Sequence, residues 1–157
     1  MIGTTMKYWL IKSEPSVYSI DDLAKAPNQT DYWNGIRSEE IRRRVRDDMR
    51  RGDLIFFYHG HCDAPGIVGI AEIVKGGYPD QTQFNPESEY FDSRSDPADP
   101  KWFMVDLQLK ETFKAIIPLD KLRSLPELQD LAILKGDESL EITPVTEAMW
   151  KIIFALR

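Results

Sequence analysis

The chain reads as a single α+β domain, and three features of the sequence predict it. Its 157 residues suit one folding unit, which at that length buries roughly two-thirds of its unfolded surface. Apolar runs of strand length alternate with short segments that carry helix caps. No repeat, low-complexity tract or linker divides them. A hydrophobic share of 42% with 29% charged residues excludes wholesale disorder. The longest apolar stretches are broken by charge and fall far short of a membrane span, so no membrane partner is expected. No charged-apolar-small leader begins the sequence, and a cytoplasmic location is expected. The single cysteine, Cys62, excludes an internal disulfide and a CxxC zinc ribbon.

The elements follow in order. Residues 1–5 read as a flexible lead-in and residues 6–157 as the domain. Lys7 to Lys12 (KYWLIK) is a compact strand-like run ended by Glu14-Pro15. Ser19 is placed to cap a short helix through Asp21, Asp22 and Leu23, and Pro27 to Thr30 is loop. Ser38 to Arg51 lacks Gly and Pro, opens Ser-Glu-Glu and is stopped by Gly52, which predicts one capped helix. Asp53 to His59 and Gly66 to Lys75 are strands, and the turn at His61 to Pro65 predicts an antiparallel hairpin. Gly76 to Pro100 is a long irregular loop, and loops this long are uncommon unless functional or disordered. Trp102 to Leu109 alternates as a strand. Pro118 fits the first turn of a helix through Leu122 and Leu125. Thr146 caps a last helix striped with Met149, Ile152, Ile153 and Leu156.

Charge is distributed unevenly. The net charge is −6, yet seven of ten arginines fall between Arg37 and Arg51, where four acids leave +3, and the remainder carries −9. An acidic body argues against a bulk nucleic-acid coat and leaves room for a local basic site. On the expected helix, Glu39, Glu40 and Asp47 can pair at i,i+4 with Arg43, Arg44 and Arg51. Arg42, Arg46 and Arg50 form a separate ridge, and Arg46 has no acid three or four residues away. A charge run is often no more than a solvated face; its functional reading is a ridge that contacts phosphates.

Motif-driven catalysis has no support, since GxSxG, HExxH, GxGxxG and phosphate-loop strings are absent. The cluster His59-Gly60-His61-Cys62-Asp63 suggests a metal-dependent enzyme as a rival reading, but a tight turn wraps poorly around a tetrahedral ion. Asp92, Asp96 and Asp99 lack calcium-loop spacing and read as solvated loop. A non-enzyme without cofactors is expected.

Two polar strings lie beside apolar strands in a way that core packing does not require. One is Lys12-Ser13-Glu14, delivered by the first strand. The other is Tyr32-Trp33-Asn34-Gly35-Ile36-Arg37, just ahead of the basic helix. Together they supply a stacking surface, hydrogen-bonding groups and positive charge, which is what reading an unstacked nucleobase needs. Trp9 sits within an apolar run and is expected in the core. Trp33, flanked by Asp31, Asn34 and Gly35, is expected to be accessible.

The strings YWLIKSEP, WNGIR, GDLIFFYH and GIVGIAEIV, with YFDSRS at 90–95 and PKWFMVDL at 100–107, closely resemble the EVE-domain family. The resemblance implies a PUA-like fold, a bent and mostly antiparallel β-barrel with helices around it, distantly related to YTH domains. It also implies a non-catalytic pocket into which a modified base is flipped, methylated or hydroxymethylated cytosine in DNA being the leading expectation. A modified-RNA reader or RNA-modification accessory protein is the runner-up, and on any of these readings a separate effector protein is a further expected partner. A protein-interaction module whose arginine face meets an acidic partner is a third reading. By this resemblance Lys12 and Ser13 line the pocket, Trp33 stacks on the base and Asn34 faces its edge. Tyr58 and His59 close the wall, while Arg37, Arg42, Arg46 and Arg50 meet the backbone. Three positions depart from the family pattern: Asn34 for Asp, Ser38 for Asn and Gly60 for Ser. An amide both donates and accepts hydrogen bonds where a carboxylate only accepts, so Asn34 alters the edges the pocket can read. Gly60 is expected to widen its mouth.

Overall fold

The structure, a computed structural model, describes residues 6–136 and 141–157; the expected lead-in at 1–5 lies outside them. Six strands form one sheet: β1 (Tyr8–Ser13), β2 (Thr30–Trp33), β3 (Leu54–His59), β4 (Gly66–Pro79), β5 (Phe103–Pro118) and β6 (Ile142–Val145). Their order is β2-β5-β4-β3-β1-β6. All pairings are antiparallel except β1 with β3, which run parallel from Tyr8↔Leu54 to Ser13↔His59. The helices are α1 (Ile20–Lys25), α2 (Glu39–Arg43), α3 (Leu119–Arg123) and α4 (Glu147–Phe154).

The central strands are apolar on both faces because both are covered. Alternation sends Trp9, Ile11, Ile55 and Phe57 to one side, where they pack with Ile20 and Leu23 of α1 and Ile41 of α2. Leu10, Phe56 and Tyr58 point the other way, against Leu122 of α3 and Met149, Trp150 and Ile153 of α4. Trp9 is buried as expected, and its indole N–H donates to Asp53 at 3.0 Å.

The sheet is rolled. In a flat sheet β2 would lie three strand spacings, about 14 Å, from β3, yet the rings of Trp33 and Phe57 are only 5.8 Å apart. Register shifts at four points between β4 and β5 supply curvature, as bulges do. This is the PUA-like α+β architecture that the resemblance implied, with one amendment. The strand pairing leaves β2 and β6 as edges, so the barrel is open.

Several local expectations are revised. The helix expected over Ser38 to Arg51 is α2 followed by one wide π turn, Arg44–Asp48, and it ends at Met49 rather than at Gly52. Ile41, Val45 and Met49 are four apart and would drift off one face of a helix with 3.6 residues per turn. Widening the last turn keeps all three in the core. Strands β2 and β6 were not anticipated, and β4 and β5 run farther than their sequence patterns indicated. The expected loop therefore starts at Asp80, with a 3-10 turn at Gln81–Phe84. Buried Gln83 organises it. Its amide donates to the carbonyls of Asp80 (2.7 Å) and Trp102 (2.9 Å), and its oxygen accepts from Ser95 Oγ and from the N–H groups of Lys101 and Trp102.

Candidate functional site

A cleft of about 490 Å³ opens where β1 and β2 end. Strand β1 delivers Lys12 and Ser13 to it, and the following turn adds Glu14, Val17 and Tyr18. Strand β2 delivers Tyr32 and Trp33 and passes directly into Asn34 and Gly35. Tyr90 comes from the long loop, His61 from the β3–β4 turn, and Glu141 from just before β6. The open roll of the sheet makes this meeting possible, because β1 and β2 are separated by three strands in the order.

Trp33 is half-buried, a middle case between the exposed and packed alternatives. Its ring meets Tyr18 and Phe57 edge-on, at 5.7 and 5.8 Å, which fixes its orientation while leaving part of it in the cleft wall. Tyr18 is anchored in turn: its hydroxyl donates to Asp31 at 2.7 Å, and its carbonyl accepts from Ser13 Oγ at 2.6 Å. Burial, and after it the hydrogen bond to Asp31, pushes the Tyr18 phenol above its ordinary range, so it remains a neutral donor. Among the described residues the Asn34 amide makes no hydrogen bond, which leaves its donor and acceptor atoms open to the cleft.

The far wall depends on Gly35. Its φ of +77° lies in the left-handed region, and a Cβ there would stand 2.6 Å from Tyr90 Cζ. Its N–H donates to Asp80 Oδ2 at 3.0 Å. Asp80 is fully buried and also accepts from Thr82 and from Arg37 Nη1, the latter at 3.2 Å. Burial alone would raise the Asp80 carboxyl. The hydrogen bonds from Thr82, Gly35 and Arg37 outweigh it, and the group is held below its ordinary value.

Arg37 is drawn into this structure. Its Nε and Nη2 donate to the Tyr90 carbonyl at 3.2 and 2.6 Å, and Nη1 also reaches the Ile36 carbonyl. Its guanidinium lies 5.5 Å from the Tyr90 ring centre and 5.3 Å from that of Trp102. Arg42 and Lys101 approach the same indole at 5.9 and 5.2 Å, so three cations surround Trp102 beside the cleft. Farther along the ridge, Arg46 is not the unpaired arginine expected: Nε and Nη2 both bond the adjacent Asp47 at 2.8 Å. Arg50 is exposed and donates to the Asp47 carbonyl at 3.3 Å. Of the three expected i,i+4 pairs, Glu40–Arg44 forms at 3.0 Å, whereas Glu39 pairs with Lys101. Asp47 lies in the π turn and Arg51 beyond the end of the helix, so that third pair loses its i,i+4 geometry.

Lys12, Ser13, Trp33 and Asn34 thus share one cleft, while Tyr58 and His59 are not in its lining. Tyr58 is buried on the opposite face of β3 and borders a second cleft of about 280 Å³. His59 accepts the Ile20 N–H on Nε2 at 3.1 Å, and burial lowers its pKa, so the ring serves as a neutral acceptor at the start of α1. With that lone pair engaged, His59 is not free to join His61 and Cys62 around an ion. Gly60 borders the second cleft rather than this one, and a Cβ there would press on the Lys12 stem at 3.2 Å. Val17, Tyr18, His61, Tyr90 and Glu141 were not anticipated as lining, and Tyr32 was anticipated only as part of the string around Trp33. Tyr90 had a signal, since it opens the YFDSRS string within a loop too long to be idle.

Residues 7–156 match the EVE domain family. The chain is 39% identical to thymocyte nuclear protein 1 of Gallus gallus, over 97% of this chain and 69% of that protein. With the Homo sapiens protein the identity is 36%, over 95% of this chain and 73% of the relative. Among solved structures, human THYN1 in complex with 5-methylcytosine-containing DNA superposes with a TM-score of 0.87 at 36% identity, covering 96% of each chain. A hypothetical protein from Leishmania major superposes with a TM-score of 0.88, also at 36% identity, covering 97% of this chain and 94% of that one. With this fold, and with its strings matched along nearly the whole length, the chain belongs to the EVE-domain family.

Proposed function

We propose that this domain is a non-catalytic reader of DNA carrying 5-methylcytosine, and that it holds the methylated base, extruded from its strand, beside Trp33. The observation that carries the proposal is the cleft itself. At about 490 Å³ it lies within the range of roughly 300–1,000 Å³ usual for small-molecule sites. One wall is an aromatic ring fixed edge-on by its neighbours, and an uncommitted amide stands next to it. The likeness to a human protein solved with methylated DNA supports the choice of ligand.

The energetics are modest. Extruding a base costs a few kcal/mol, and stacking on an aromatic ring returns about 1–3 kcal/mol. The remainder must come from edge contacts by Asn34 and Ser13 and from phosphate contacts by Lys12 and the arginine ridge. Ser13 Oγ already donates to Tyr18, so it offers a base its acceptor lone pairs. A separate effector protein would carry any step that follows recognition. Trp33→Ala is expected to weaken binding of a 5-methylcytosine duplex about tenfold, with Trp33→Phe intermediate, as measured by fluorescence anisotropy. Equal affinities for Trp33→Ala and wild type would remove the stacking role. Tighter binding of an RNA oligonucleotide of the same sequence would move the assignment to RNA.

A further inference from the structure

Val17 is 77% exposed, the most exposed large hydrophobic side chain among the described residues, and it stands on the lip of the cleft. An apolar side chain in water is ordinary when it is mobile and isolated, but Val17 is held. The Val17 and Tyr18 N–H groups both donate to the Glu14 carbonyl, at 2.9 and 2.8 Å. Tyr18 is fastened by Ser13 and Asp31, and Ser19 immediately begins the capping box of α1. The turn therefore presents a β-branched side chain that is stiff at χ1, with little freedom left to lose on contact. Tyr32, also on the rim and 55% exposed, has a hydroxyl that water can satisfy; Val17 has no polar atom beyond its backbone.

We infer that Val17 is the wedge that enters the base stack when the nucleotide is extruded, filling the gap the base leaves and opposing its return. Apolar wedges recur where proteins unstack duplex DNA, and a gap in the stack beside a base cleft is where a rigid apolar tip has a partner. This inference rests on the proposed reading of the cleft and deepens it, assigning the step from stacked to extruded base to a residue outside the base contacts.

The wedge matters only where there is a stack to open, and this separates it from an ordinary contact. Binding should be compared on a 5-methylcytosine duplex and on the methylated single strand alone, using wild type, Val17→Ser, Val17→Ile and Trp33→Ala. Val17→Ser is expected to weaken duplex binding about tenfold and single-strand binding several-fold less than that, while Val17→Ile binds both like wild type. Unchanged duplex binding by Val17→Ser, or an equal loss on both probes, overturns the wedge. Trp33→Ala distinguishes the two levels: it should weaken both probes, and if it weakens neither, the base-reading assignment falls and the wedge with it. Equal thermal unfolding of the two Val17 variants and wild type ties the effect to DNA rather than to folding.

Discussion

Asp80 carries much of the cleft on one side chain. It receives the Gly35 N–H, two donors of Thr82 and the Arg37 guanidinium, and Arg37 in turn holds the Tyr90 carbonyl. The segment after Trp33 and the wall that carries Tyr90 are thereby fixed to a common carboxylate. Asp80→Asn places an amide N–H₂ or an uncharged oxygen where a buried anion met a guanidinium. Removing one partner of such a pair is expected to destabilise the fold by about 2–3 kcal/mol near neutral pH. Because the folded-state value is depressed, the contribution is complete above the unfolded value of about 4. It is lost as pH falls through the lower folded value. The gap between wild type and Asp80→Asn should therefore close on acidification, as urea titrations at pH 7 and below pH 4 would measure. A constant gap would mean that the carboxylate's charge is not the stabilising feature.

At the scale of elements, the least regular segment proves tightly organised. Gln83 accepts three hydrogen bonds and donates two inside the loop between β4 and β5. Gln83→Ala leaves the buried Trp102 N–H without its acceptor and removes one of the two donors to each of the Asp80 and Trp102 carbonyls, and is expected to cost about 1–3 kcal/mol. It should also expose the chain between 85 and 100 to limited proteolysis, with cleavage there and not in the strands. Gel analysis of digests alongside thermal melts would test both effects; wild-type resistance would show that the loop has other anchors. The sequence did not reveal this organisation, because a lone buried glutamine leaves no periodic trace. Other omissions have similar causes. Strand β2 has four residues and follows two residues, Asn28 and Gln29, in the left-handed region, so pattern matching sees a turn. Strand β6 contains Pro144, which only an edge position tolerates. The second half of β5 shows solvent Lys110, Thr112 and Lys114 on one face and buries Phe113 and Ile117 on the other. By contrast, β1, β3 and α1 were legible, since each is short, strongly patterned and bounded by a proline, by glycines or by a cap. The lining of the cleft was legible where one string supplied adjacent residues, as with Lys12-Ser13 and Trp33-Asn34. It was obscure where the roll of the sheet decided. Tyr58 and His59 share the string that ends β3, but alternation and the Ile20 N–H turn both away from the cleft.

For the whole molecule, the decisive quantity is how its charge is partitioned. A body at −9 repels duplex DNA at long range, while the segment at +3 lies next to the cleft through the cations around Trp102. Few phosphate contacts are therefore expected, and binding should depend on salt far less steeply than for proteins that neutralise many phosphates. The structure also grades the arginines. Among the described residues the exposed Arg50 side chain holds only a backbone carbonyl, whereas the charge of Arg46 is already answered by Asp47, whose carboxyl is held low mainly by that hydrogen bond. If Arg50 meets a phosphate, Arg50→Ala should flatten the plot of log affinity against log salt concentration by about 0.9. Arg46→Ala should flatten it less, because a phosphate must first displace Asp47. Asp47→Ala frees Arg46 and should do the reverse, raising affinity for a 5-methylcytosine duplex and steepening the slope. Anisotropy titrations between about 50 and 200 mM salt span the range over which such slopes are measured. Identical slopes for all three variants and wild type would reduce the ridge to a solvated face and move the expected phosphate contacts to Lys12 and the cations around Trp102.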